Sequence, residues 1–299
     1  MSADTLAPPK TSVPQPDRPR RRKSTARREA VIVNTLLILG VVVMIAPFYW
    51  QVAASLKPAH ELASAHQTWY PHALTLQNYR DLGKLLDLPQ EYKNSIIVAG
   101  VVTVSNLLFC SMLGYALAKL RFPGRGVVFG LVLGTLMVPG TVLVIPLYVL
   151  AHQLGLVNTL LGVALPTLVT PFGVFLMRQF FLQVPDSLLE AARIDGSGEW
   201  RTFFRICLPL VGPGLATLGI LTFLSSWNNF LWPQIVLNDQ SKYTIPVAVA
   251  TFANDPNQAQ GSNGVLMAGS VAVVIPVVLV FIALQRYFTR GVAMSGIKG

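Results

Sequence analysis

Ionisable residues are scarce in this chain. Only 12% of its 299 residues are charged, whereas 53% are hydrophobic, and a soluble domain carries about twice that share of charge. The apolar residues are gathered into long blocks that contain no Asp, Glu, His, Lys or Arg. Such blocks predict helices buried in a membrane. Their lack of ionisable groups argues against a pump or carrier that moves protons through the bilayer, which usually keeps such groups there.

Motifs for catalysis and for nucleotide binding are also missing. The sequence has no G-x-x-x-x-G-K-[ST] phosphate loop, no H-E-x-x-H and no G-x-S-x-G. Its two cysteines, Cys110 and Cys207, have no metal-ligand spacing and are too few for a disulfide framework, so we expect both to be reduced. We expect neither an enzyme nor a metal site. The net charge of +10 comes with no nucleic-acid motif and is typical of basic loops beside anionic lipid.

Six apolar blocks predict an all-α integral membrane protein with six transmembrane helices. Each block is long enough to cross a hydrocarbon core of about 30 Å as a helix. The first block has an alternative interpretation as a signal peptide, because Val52-Ala53-Ala54 resembles a cleavage site, but its apolar run is longer than a signal usually has. The predicted spans are Val31–Ala54, Ile96–Ala118, Val127–Leu150, Leu160–Met177, Leu215–Leu237 and Val265–Leu284.

The distribution of Lys and Arg predicts the orientation. Most of the 23 basic residues lie in the N-terminal tail, after the second and fourth blocks, and at the C-terminus. Basic loops remain on the cytoplasmic side, so both termini should be cytoplasmic. Residues 1–29 have no hydrophobic periodicity and are interpreted as a disordered basic tail, which leaves 30–299 as the membrane domain.

The segment between the fourth and fifth blocks predicts two short helices. Ser187 followed by Glu190 is typical of a capping box, so a helix should begin at Ser187. Gly196 should end it, and a second helix should begin near Ser197 and end before Leu208-Pro209. The many Leu, Ala, Trp and Phe side chains indicate a surface that another molecule covers.

This segment resembles the signature loop of permease subunits in binding-protein-dependent ATP-binding-cassette (ABC) importers. The resemblance rests on Glu190-Ala191-Ala192, on Gly196 ten residues before Ile206, and on the following Leu208-Pro209. It implies a type I ABC importer permease fold and a loop, about 182–210, that seats in a cleft of an ATPase. The chain itself would need no cofactor, since the partner binds ATP. The implied coupling residues are Glu190, Ala191, Ala192, Asp195, Gly196, Leu208 and Pro209.

Other motifs resemble the carbohydrate branch of that family, and its maltose-type six-span subunits in particular. They are Tyr70-Pro71, Asn94-Ser95 and Trp227 through Pro233, within a resemblance that covers residues 31–299. It implies a second and different permease subunit, two ATPase subunits, an extracytoplasmic solute-binding protein, a sugar substrate and the lipid of a bacterial cytoplasmic membrane, with no nucleic acid. Import of a glycerol phosphate is an alternative, and a stand-alone secondary carrier is a more distant one.

Two polar sets are candidates for contact with substrate or partners. Ser225, Asn228, Asn229 and Trp232 have the spacing of one helix face, which suits a sugar pathway and, slightly better, hydrogen bonds between helices. Relatives often carry an acidic residue at the position of Asn229, so its role is open. The loop around Asn254 and Asp255 resembles a segment that enters the binding protein's cleft in relatives; as sequence alone it is a polar loop.

Overall fold

The computed structural model describes residues 23–64, 66–255 and 263–295, with side chains between 29 and 283. Every regular element in these ranges is helical, as the apolar blocks predict. The chain divides into two units, Met1–Tyr49 and Trp50–Gly299. Residues 1–22 of the predicted basic tail lie outside the described residues, and helix α1 begins at Lys23. The predicted boundary at residue 30 therefore lies inside a helix.

Within the part of the chain that the structure describes, three helices are long and apolar enough to cross a membrane without a sharp bend. They agree with the first, second and sixth predicted spans. The second combines α4 (Leu88–Ser105), a π-helical turn and α5 (Ser111–Lys119). Pro47 and Pro276 lie inside α1 and the last helix, as membrane helices permit. The three spans are Glu29–Ser55 within α1 (Lys23–Ser55), Leu88–Lys119, and Asn263–Ala283 within α16 (Asn263–Ser295).

Three further spans are pairs of helices with a sharp bend between them. Proline follows or occupies each break, at Pro139, Pro171 and Pro213, where the missing N–H and the ring oppose a continuous helix. Counting each pair as one span gives the six that the sequence predicts. The pairs are Arg125–Leu136 with Gly140–Gln153 (92°), Leu160–Thr167 with Pro171–Leu182 (44°), and Glu199–Leu210 with Gly212–Trp227 (81°).

These pairs contain α6 (Arg125–Leu136), α7 (Val144–Gln153), α8 (Leu160–Ala164), α9 (Pro171–Leu182), α11 (Glu199–Thr202), α12 (Leu208–Leu210) and α13 (Gly212–Trp227). The other helices are α2 (Ala59–Leu62), α3 (Gln77–Leu85), α10 (Asp186–Ile194), α14 (Leu231–Val236) and α15 (Ile245–Asn254).

The prediction of one helix over 215–237 is wrong. Helix α13 ends at Trp227, and α14 begins only at Leu231. Pro233 gives the reason, because in a continuous helix it would leave the carbonyl of Asn229 without a donor and its ring would collide with that carbonyl.

A buried asparagine satisfies the backbone at the 44° bend. The Asn106 amide nitrogen donates to the carbonyl of Thr167 (2.7 Å), and its oxygen accepts from the backbone N–H (3.1 Å) and hydroxyl (2.7 Å) of Thr170. Asn106 is fully buried and opens the π-helical turn Asn106–Cys110. Unpaired backbone groups are costly inside a membrane, so this side chain stabilises the break that Pro171 imposes.

Candidate functional site

Helix α10 of the 182–210 loop begins one residue earlier than predicted. It spans Asp186–Ile194, with Pro185 as its N-cap residue and no side-chain capping hydrogen bond. The capping-box prediction is therefore wrong. Ser187 already lies inside the first turn, where its hydroxyl is not in the N-cap position, and Glu190 is left exposed.

The predicted end of this helix at Gly196 is confirmed. Gly196 has a φ of +74°, a left-handed conformation that favours glycine. Its N–H donates to the carbonyl of Arg193 (3.0 Å), and the N–H of Ser197 donates to the carbonyl of Ala192 (2.9 Å). This pair of bonds is a Schellman motif, which satisfies the last helical carbonyls and reverses the chain.

The second helical segment runs further than predicted. It continues from α11 through a π-helical turn, Phe203–Cys207, into α12 (Leu208–Leu210). The predicted end before Leu208-Pro209 is therefore wrong. In a regular α-helix the ring of Pro209 would collide with the carbonyl of Arg205. The π-helical turn at Phe203–Cys207 is wider and includes Arg205.

Ionic and hydrogen-bonded contacts fix the loop to the end of α5. Lys119, whose side chain is 5% exposed, donates to the carbonyl of Val184 (2.6 Å) and pairs with Asp186 (2.5 Å). The hydrogen bond from Lys119, with its positive charge, lowers the pKa of the Asp186 carboxyl below its usual value. Tyr115 donates to one Glu199 oxygen (3.0 Å), and Arg193 donates to the other (3.0 Å). The loop is thus held in one position on the membrane domain.

An aromatic core lies beneath these contacts. Tyr115 on α5, Phe181 on α9 and Phe203 in the loop are buried and contact one another, with ring centroids 5.2 to 6.1 Å apart. Leu189 of α10 belongs to the same cluster. The inner face of the loop is therefore part of the protein core, which makes the loop a stiff element.

The outer face of the loop is apolar and uncovered. Ile194 is 86% exposed and Trp200 is 65% exposed. Trp200 stacks on the exposed Phe204, with ring centroids 6.1 Å apart. Exposed apolar side chains concentrated on a rigid support mark an interaction surface.

The predicted coupling residues divide between the two faces of the loop. Ala192 is buried and Leu208 is half-buried, so both support the fold of the loop. Tyr115 and Lys119, which hold the loop, were not predicted as site residues, because their partners lie 65 to 84 positions away in the chain. The exposed predicted residues are Glu190, Ala191, Asp195, Gly196 and Pro209.

The four polar candidates of the fifth span do not share one helix face, so that prediction is wrong. Ser225 and Asn228 are exposed, and the Asn228 amide donates to the carbonyl of Leu224 (2.8 Å). Asn229 lines a cavity of about 10 Å³. Trp232 is buried and donates from its indole to the carbonyl of Gly162 (3.1 Å), so it ties α14 to α8.

The second predicted contact region lies at the end of α15. Asn254 is the last residue of that helix, and Asp255 follows it. Residues 256–262 of the loop are outside the described residues.

Comparison with solved structures gives the fold of the chain. The chain superposes on a subunit of a bacterial ABC transporter involved in the import of the acidic polysaccharide alginate, with a TM-score of 0.79 over 91% of this chain and 100% of that one, at 23% identity. This likeness establishes the fold of a type I ABC importer permease.

Sequence comparison gives the family. Residues 111–294 match the model for the binding-protein-dependent transport system inner membrane component. The arabinooligosaccharides transport system permease protein AraQ of Halalkalibacterium halodurans is 41% identical over 91% of this chain and 99% of its own length. The diacetylchitobiose uptake system permease protein NgcG of Streptomyces coelicolor is 33% identical over 92% and 91%. The chain belongs to the family of binding-protein-dependent inner membrane permeases.

Membership of this family settles the broad role. The protein is a multi-pass membrane permease subunit of an ABC importer and is not an enzyme. Such a subunit works with a partner permease, an ATPase and a binding protein.

Proposed function

We propose that this chain forms part of the transmembrane pore of an importer for a mono- or oligosaccharide. The observation that carries the substrate class is the 41% identity to a permease named for arabinooligosaccharides, over nearly the whole of both chains. The chain lies in a bacterial cytoplasmic membrane with both termini on the cytoplasmic side, as the positions of its basic residues favour.

The 182–210 loop transmits the movement of a separate ATPase to the transmembrane spans. Its inner face belongs to the core through Leu189 and Phe203, while Ile194 and Trp200 are uncovered. Because the loop is rigidly held, an ATPase that grips the outer face moves the spans with it. A shift between inward-facing and outward-facing states from 1:99 to 99:1 needs about 5.5 kcal/mol of differential binding, which ATP and the docked binding protein supply.

The complete importer contains two permeases, two ATPases and one binding protein. The partner permease is a different chain, and ATP is bound by the ATPases, so this subunit carries no cofactor. Ser225 and Asn228 are exposed beside the break after α13 and face the sugar pathway or the partner permease. Asn254 and Asp255 contact the binding protein.

A glycerol phosphate is the second candidate substrate, and its charge separates it from a neutral sugar. An anionic substrate favours basic residues along its path, and the six apolar blocks of this chain contain none. We therefore propose a neutral sugar as the substrate over a glycerol phosphate.

The test is substrate-dependent hydrolysis by the purified complex. The tagged chain is isolated gently from its own membranes, its cognate binding protein is added, and ATP hydrolysis is measured across a panel of sugars and glycerol phosphates. We expect hydrolysis to rise with one sugar. If hydrolysis rises only with a glycerol phosphate, that compound and not a sugar is the substrate. A well-behaved preparation that contains no ATPase would refute the proposed importer function.

A further inference from the structure

The end of the protein opposite the 182–210 loop contains an acidic pocket. The pocket has a volume of about 310 Å³ and lies between the start of α4, the 240–243 segment and α15. It has three carboxylates, Asp87, Glu91 and Asp255, and no basic residue is among the described residues that line it. Its remaining walls are polar near Gln240 and Ser241 and apolar near Leu85, Leu86 and Phe252.

Glu91 is the buried member of the three. It is 4% exposed, whereas Asp87 is exposed and Asp255 is half-buried. The Oε2 atom of Glu91 has no hydrogen-bond partner among the residues that the structure describes. A buried carboxylate without a partner is unfavourable, so a cation that enters this pocket gains a strong electrostatic contact.

The pocket is built before any ligand arrives. Asn94 donates to the carbonyls of Ser241 (3.0 Å) and Tyr243 (2.9 Å), and the N–H of Ile245 donates to the hydroxyl of Ser95 (2.8 Å). These bonds fix the 240–243 wall against α4, the helix that carries Glu91. A preformed site loses little conformational entropy on binding.

The chemistry of the pocket favours a long organic cation over a metal ion. Within the described part of the chain, no group of three or more His, Cys, Asp or Glu side chains is arranged to hold a metal. A lysine or arginine side chain matches the pocket better, because its alkyl stem packs on apolar walls while its charged end reaches a carboxylate.

The position of the pocket identifies the partner. Glu91 and Tyr115 lie near opposite ends of the span Leu88–Lys119, roughly 36 Å apart along a helix with a rise of 1.5 Å per residue. Tyr115 holds the 182–210 loop, so the pocket is at the other membrane surface. If that loop meets the ATPase, as the proposed function requires, the pocket faces the binding protein.

We propose that the Asp87–Glu91–Asp255 pocket receives a lysine or arginine side chain of the solute-binding protein when it docks. The contact anchors the docked protein beside α15. This inference rests on the proposed function and adds the docking chemistry.

The test measures docking in the complete complex reconstituted in lipid nanodiscs. The readout is the concentration of substrate-loaded binding protein that gives half-maximal ATP hydrolysis. For Glu91→Gln we expect that concentration to rise at least about tenfold, the lower end of the loss for a close charge pair, while the maximal rate is unchanged. The control is Asp81→Asn, which removes a half-exposed carboxylate that pairs with Lys84 on neighbouring α3 and does not line the pocket; it should leave docking unchanged.

A second pair of variants keeps the test informative if Glu91→Gln fails to fold. Thr251 lines the pocket and is half-buried. Thr251→Lys supplies an internal ammonium group that competes with the partner's cation, and we expect weaker docking than with the uncharged Thr251→Met.

Three outcomes would count against the proposal. Wild-type half-saturation in both Glu91→Gln and Thr251→Lys would overturn it. Unchanged docking combined with weaker equilibrium binding of a cationic amino sugar would assign the pocket to a small ligand, and would overturn it as well. A wild-type complex that hydrolyses ATP without any response to binding protein would instead refute the proposed function, and this inference with it.

Discussion

Two segments are fixed to opposite ends of the span Leu88–Lys119, and the chemistry of the two attachments differs. At one end, the 182–210 loop is held through its carboxylates. Lys119 pairs with Asp186, and Tyr115 donates to Glu199, which also pairs with Arg193 within the loop. At the other end, the segment 238–245 is held by neutral side chains. Gln90 and Asn94 donate to its carbonyls, and Ser95 accepts from its backbone.

The difference matches what each end has to do. A hydrogen bond from a neutral amide to a backbone carbonyl involves no titrating or charged group, so the 238–245 segment keeps its shape as salt and pH change. The carboxylates of the loop's ion pairs are exposed to water, which weakens each pair, so the aromatic core adds to the rigidity of the loop. We expect substitutions at the loop to change coupling more than folding, and substitutions at the 238–245 end to change folding.

The largest effect is expected from Gly196→Lys. No atom lies within 4 Å of the position that a Cβ would take, but the φ of +74° strains any L-residue, at a cost of about 1–2 kcal/mol. The chain should still insert, while the lysine on the outer face should abolish substrate-stimulated hydrolysis. Gly196→Asn is the matched control, since asparagine tolerates this conformation and is short. Normal sugar uptake by Gly196→Lys would contradict the assignment of the loop to coupling.

At the neutral end, Asn94→Leu should reduce stability by about 1–3 kcal/mol, because it removes the donor to two part-buried backbone carbonyls, those of Ser241 and Tyr243. Asn94 is 2% exposed, and it is the donor to the carbonyl of Tyr243. Thermal unfolding and amide hydrogen exchange over 238–245 measure the loss. Gln90→Leu is the control and should cost less, because its contact to Ser241 is longer (3.3 Å) and exposed. An unchanged melting temperature for Asn94→Leu would show that the amide does not hold this segment.

The sequence predicts what depends on local properties. The six spans follow from apolar length, and the helix end at Gly196 follows from the conformational freedom of one residue. The capping-box prediction is wrong because the helix begins at Asp186, after Pro185, which is one residue earlier than the motif predicts. The motif considers Ser187 and Glu190 and takes no account of the preceding proline. The prediction of one helix over 215–237 is wrong because Pro233 coincides with a break in the helix, whereas Pro47 and Pro276 lie inside continuous helices.

Short sequence motifs do not predict contacts between residues that are far apart in the sequence. The coupling resemblance pointed to residues 190–209, yet the residues that hold the loop, Tyr115 and Lys119, belong to a different span. Asn106 likewise supports a bend more than 60 positions away. The acidic pocket was missed for the same reason, because Glu91 and Asp255 come together only in the folded chain.

The smallest effect is a difference in pH and salt dependence between the two ends. The pKa of Asp186 is lowered by a hydrogen bond from Lys119, and that of Asp239 is lowered by hydrogen bonds from the backbone and hydroxyl of Ser241. Each ionised carboxylate therefore stabilises the fold at neutral pH, and this contribution is lost as the pH falls below the usual aspartate range near 4.

The two aspartates should respond differently to salt. Asp186→Asn should lower the melting temperature slightly at pH 7 and by less at pH 3, and 1 M salt should shrink the difference at pH 7, because the screening length is then about 3 Å. Asp239→Asn should likewise have a smaller effect at pH 3, but keep most of its effect in salt, since the pKa of Asp239 is lowered mainly by hydrogen bonds from the neutral Ser241 and less by the charge of Lys242. Equal salt sensitivity of the two variants would show that the charged and neutral attachments do not differ as their contacts indicate.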